Sequence, residues 1–150
     1  MKRLLFQAIL VFTVLQACGQ KISADKVPAP VKSSFAAAHP GIKGTWEKEE
    51  GNYEVSFKEK GKDMSCLITA AGEITETETA ITVQELPQAA RDYLQKNYKN
   101  AKVKEAAKIV MANGDVNFEA EINEKDVIFD SKGNFLKIVD KEEGGEDDKD

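Results

Sequence analysis

Apolar and polar residues alternate with a period of two along most of the chain. Tyr53, Val55 and Phe57 alternate with Glu54, Ser56 and Lys58. Val116, Phe118, Ala120 and Ile122 alternate with Asn117, Glu119 and Glu121. A period of two places successive side chains on opposite faces of a strand, so each run predicts one buried face and one wet face. Glycine-centred turns separate the runs at Glu50-Gly51-Asn52, Lys60-Gly61-Lys62, Ala71-Gly72-Glu73, Asn113-Gly114-Asp115 and Lys132-Gly133-Asn134, with Asn123-Glu124-Lys125 as a further turn. The pattern predicts strands over 42–49, 52–59, 63–69 and 73–80, then 102–112, 115–122, 125–130 and 134–139.

Two segments carry a helical period instead. Val31, Phe35 and Ala38 form one stripe; Ala90, Leu94 and Tyr98 form another, joined by Leu86. Pro28 and Pro87 stand where a helix begins, since the missing N–H would lack an intrahelical partner there anyway. His39-Pro40-Gly41 ends the first helix, because the residue before proline avoids the α region and glycine does not sustain it.

The two halves align. Val27–Phe35 matches Leu86–Leu94 at a constant offset of 59. Gly51–Phe57 falls on Gly114–Ala120 at offset 63, and Ala71–Ile74 on Lys132–Phe135 at offset 61. The expected fold is α+β: a tandem repeat of a helix followed by an antiparallel four-stranded meander, with the helices packed on the sheets. The repeats are expected at 27–83 and 86–140. Within this scheme the polar run Thr75-Glu76-Thr77-Glu78-Thr79 is expected to be a protected edge strand, with part of a binding face as the other reading. Trp46, the sole tryptophan, alternates with Ile42 and Gly44 and is expected in the core, with an exposed contact as the other reading.

The flanks read differently. Lys2 and Arg3 precede an apolar run, Leu4 to Leu15, of 12 residues. A bilayer span needs about 20, so residues 1–17 read as an export signal. Leu15-Gln16-Ala17-Cys18-Gly19 resembles a bacterial lipobox, which makes Cys18 the expected lipid attachment site. Cleavage after Ala17 or Gly19, or a retained anchor containing Cys18, are the other readings. Residues 18–26 are a leader, and residues 141–150 an acidic, glycine-containing tail with too little apolar surface to fold.

Composition removes several function classes. The net charge is −5, or −7 once Lys2 and Arg3 leave with the signal. This does not suit nucleic acid, which demands clustered cations. His39 is the only histidine, expected to favour the negative end of the first helix. Cys66 sits in an apolar strand and is expected as a buried small hydrophobe. Those two are the only His or Cys ligands for zinc in the mature chain, and no glycine cluster precedes a helix. Glu47, Glu49, Glu50, Glu76 and Glu78 are expected on a solvated strand face rather than as a catalytic pair. No catalytic residue and no cofactor are expected.

Val-Pro before a helix, Trp46-Glu47, Asn52-Tyr53-Glu54-Val55-Ser56-Phe57, Ala71-Gly72-Glu73-Ile74 and Leu86-Pro87 with Tyr98 together resemble the PepSY-like group, also described as beta-lactamase-inhibitor-like, over about 26 to 140. That group is typical of exported Bacteroidetes proteins. The resemblance implies inhibitory or binding roles outside the cytoplasm, with an exported protein as partner. A small-ligand or ion sensor in the periplasm is the alternative. The expected location is the periplasm, or the outer membrane as a lipoprotein, with secretion if Cys18 is not lipidated. A shared fold does not carry a particular partner's surface with it.

Overall fold

A computed structural model describes residues 20–49 and 51–140. Cys18, the expected export signal and the expected acidic tail lie outside them.

The eight strands read from the alternation are present: β2 (Gly44–Glu49), β3 (Asn52–Glu59), β4 (Lys62–Ile68), β5 (Ile74–Ile81), β6 (Glu105–Met111), β7 (Val116–Ile122), β8 (Lys125–Phe129) and β9 (Phe135–Asp140). A short β1 (Gln20–Ile22) precedes them and was not foreseen. The helices are α1 (Ala29–Ala38) and α2 (Gln88–Asn97), each with its proline, Pro28 or Pro87, at the N-cap. Thr82 and Glu85 close a capping box around a 3₁₀ turn that leads into α2.

The assembly departs from expectation. All nine strands form one antiparallel sheet in the order β1 to β9. Among the described residues the fold is predominantly β, with two α-helices, and the α+β reading of two helix-plus-four-strand units is overturned. The decisive pairing is β5 with β6, from Glu76 opposite Met111 to Ile81 opposite Ala106. It runs straight through the expected boundary. The Thr75–Thr79 run therefore lies in the middle of the sheet, not at an edge. Its backbone groups bond on both sides, to β4 and to β6.

Both helices cover the same face. Directly opposed residues in adjacent strands share a face, and the register leads from Cys66 to Thr77, along β5 to Ile81, and across to Ala106. Cys66 belongs to the core under α1, with Val31, Phe35, Trp46, Val55 and Phe57. Ala106 belongs to the core under α2, with Ala90, Leu94, Ala120, Val127 and Phe129. Trp46 and Cys66 are thus core residues, and Trp46 meets Phe35 edge to face with ring centroids 5.5 Å apart.

Two glycines bring the hairpin turns up against the helix starts. A Cβ on Gly72 (φ +92°) would lie 2.8 Å from the Pro30 carbonyl oxygen. One on Gly133 (φ +86°) would lie 2.8 Å from both the Ala90 nitrogen and Pro87 Cβ. Only glycine fits both the backbone conformation and the gap.

Candidate functional site

No described helix covers the other face, yet part of it is buried. Alternation sends Glu54, Ser65, Glu76, Glu78, Ile109, Glu119, Asp126 and Ile128 to that side. Ile109 and Ile128 are buried there, and so are Glu76, Glu121 and Asp126, which are 7%, 3% and 4% exposed. The sheet itself supplies the cover. Glu76 on β5 and Val139 on β9 line one cavity of about 80 Å³. Four strand spacings separate β5 from β9, about 19 Å in a flat sheet. The C-terminal half must therefore curl toward its open side, and β5 to β9 form a trough. Ile109, Met111, Ile128, Leu136 and Val139 give it apolar walls.

Carboxylates dominate the same face. Glu54, Asp63, Glu78 and Glu105 line a shallow open depression that continues it toward β3 and β4. Burial pushes the Glu54 carboxyl above the ordinary glutamate range, against a lowering hydrogen bond from Ser65, and repulsion from Glu47 adds to the rise. Burial raises Glu76 as well; Lys137 pulls it down and Glu54 pushes it up. Lys104 pairs with Glu121 at 2.9 Å. The expectation of a fully solvated acidic face is thus corrected for Glu76. A missed signal is visible in Ala106-Ala107 and Val127-Ile128, where β6 and β8 are apolar on consecutive residues. Strands covered on both faces lose their alternation.

The residues weighed for chemistry in the sequence come together elsewhere, at the end of α1. His39 caps that helix. Its Nδ1 lies 2.9 Å from Glu59 Oε2, and its Nε2 lies 3.6 Å from Cys66 Sγ, which is 3.5 Å from Thr77 Oγ1. A thiol, an imidazole and a carboxylate in this order have the connectivity of a nucleophile, a base and its orienting group. Reactivity does not follow. Cys66 is fully buried, and burial pushes its thiol pKa up, so the thiolate is disfavoured. The chain of contacts instead ties the end of α1 to β3, β4 and β5. Among the described residues no group of three or more His, Cys, Asp or Glu side chains is placed to hold a metal ion.

Residues 68–137 match the family model described as a proposed beta-lactamase-inhibitor-like, PepSY-like domain. The match runs from the end of β4 into β9 and takes in the trough walls except Val139. The fold is shared with solved Bacteroides structures. A proposed periplasmic protein from Bacteroides eggerthii superposes with a TM-score of 0.69 at 17% identity, covering 75% of this chain and 88% of that one. A DUF2874 family protein from Bacteroides uniformis gives 0.67 at 16% identity, with 75% and 88% covered. A BLIP-like protein from Bacteroides fragilis gives 0.61 at 19% identity, with 79% and 90% covered. No curated protein matches.

Proposed function

We propose that this chain, whose residues 68–137 carry the PepSY-like match, is a non-catalytic binding module that works outside the cytoplasm. It docks an exported protein on the open face of its sheet. One observation carries this reading: a sheet covered by helices on one side presents on the other a curled, apolar-walled surface fringed with carboxylates. Protein interfaces combine an apolar centre with a polar rim, and this face has both. Its charge favours a basic partner.

The periplasmic descriptions of the Bacteroides neighbours and the signal-like first 17 residues support an envelope location. Cys18 would then supply a lipid anchor. A small-ligand sensor is less well supported. Ligand pockets for metabolites run to roughly 300–1,000 Å³ and enclose their ligand, whereas the enclosed part of the trough is about 80 Å³ and the adjoining depression of about 440 Å³ is shallow and open.

Photo-crosslinking of the full chain in its own envelope tests the proposal. A photoreactive residue replaces Ser65 on the open face or Lys32 on exposed α1, and adducts are identified by mass spectrometry. A discrete exported protein captured from position 65 is the expected result. Adducts from position 32 alone would refute docking on the open face.

A further inference from the structure

Within the open face, one carboxylate stands apart. Glu76 is nine-tenths buried, and among the described residues the one attractive charge acting on its carboxylate is Lys137, which lines the same cavity, with no hydrogen bond to it. Buried carboxylates are ordinarily paired or hydrogen-bonded, because an ion stripped of water costs free energy. Glu76 lines the cavity with the aliphatic walls of Ile109, Ile128 and Leu136 beside it. Asp126 and Glu119 line the same space, and Lys137 is the one cation lining it, so the cavity is net negative.

A group that fits must be narrow, have an apolar stem and end in a cation. It must also shed water readily. Arginine meets these demands better than lysine, since its guanidinium is weakly hydrated, planar and able to bond a carboxylate through two N–H groups. Its methylenes would lie along the aliphatic walls. Arginine is also enriched among residues that dominate interface energies.

We infer that the cavity beside Glu76 is the anchor point of the docking face and receives a single arginine side chain of the protein partner, its guanidinium on the Glu76 carboxylate and its stem against Ile109, Ile128 and Leu136. This rests on the open-face reading and specifies the chemistry of the partner at one place.

The test is an NMR titration of the full chain with N-acetyl-arginine methylamide, alongside its uncharged norleucine counterpart. Saturable amide shifts are expected around Ile109, Ile128 and Leu136, with millimolar affinity as befits one side chain. The norleucine compound should bind roughly tenfold more weakly, a difference worth about 1.4 kcal/mol. Glu76→Gln should weaken the arginine compound by a similar factor while the remaining resonances keep their positions, which shows the variant to be folded. Equal binding of both compounds, an unaffected Glu76→Gln, or no saturable shift in these residues would overturn the inference. Crosslinking from position 65 separates it from its premise. Capture that persists at full yield in Glu76→Gln leaves the docking face standing and removes the arginine anchor. Absence of capture removes the docking face, and the titration then decides the cavity alone.

Discussion

The sheet under α1 and the sheet under α2 differ more than their matching helices suggest. Each helix has ten residues, a proline at its N-cap and an apolar stripe on the sheet. Under α1 the core is aromatic, with Phe35, Trp46, Tyr53 and Phe57, and a polar chain from Glu59 through His39 to Cys66 closes its end. Under α2 the buried core is mainly aliphatic, with three alanines (Ala90, Ala106, Ala120) beside Leu86, Leu94, Ile122 and Val127 around the one buried aromatic ring, Phe129. The opposite faces diverge too. Behind the first core lies an open, polar surface; behind the second the sheet folds over buried carboxylates. Smaller residues on the helix side accompany curvature toward the other side, and the curved half is the one that makes a cavity.

The largest effect should come from the centre of the second core. Phe129 is fully buried and meets Tyr93 at a centroid distance of 5.6 Å. Phe129→Ala should cost about 3–5 kcal/mol in urea unfolding. A cost below about 1 kcal/mol would mean that the small-residue half contributes little to the stability of the sheet.

The turn glycines give a smaller, paired contrast. Gly133 and Gly114 share φ +86°, but a Cβ on Gly114 meets nothing within 4 Å. Both alanine variants bear the backbone strain, about 1 kcal/mol. Gly133→Ala adds the clash with α2, so it should lose about 1–3 kcal/mol more. Equal losses in thermal unfolding would show that this turn does not fix the helix to the second half.

The smallest effect concerns pH. Burial raises the Glu54 and Glu76 carboxyls above their unfolded value. The folded state therefore holds these protons to higher pH than the unfolded chain does. Their contribution favours the folded state while they are protonated and turns against it as pH rises from the ordinary glutamate value through the raised one. Glu76→Gln should flatten this part of the profile and raise the thermal midpoint at pH 8 by roughly 2–4 °C. An unchanged profile from pH 4 to 8 would show that the buried carboxylate costs nothing.

Much of the local structure was legible. Alternation located β2 to β9, and Pro28 and Pro87 marked both helix starts, because these signals depend on near neighbours. Pairing across α2 was not legible, since nothing in residues 73–80 or 102–112 says which strand lies alongside which. Thr77 and Thr79 misled for a related reason. They lie on the helix side between the two cores, opposite Val110 and Lys108, where neither helix reaches; Val110 is 37% exposed. A central strand can thus be polar on both faces, as an edge strand is. Glu76 and Asp126 gave no sign of burial in the sequence, because their cover comes from curvature. The doubled apolar pairs in β6 and β8 were the available hint.

The strictly sequential order of the strands also bears on how the molecule gives way under load. Each strand hydrogen-bonds only to its neighbours along the chain, so β1 and β9 lie at opposite edges. Tension drawn between β1 and β9 opens an outermost strand first and then the next. Bonds broken one after another in this way, like a zip, resist far less than bonds sheared together. The short β1, three residues paired to β2 alone, is the natural place for such peeling to begin.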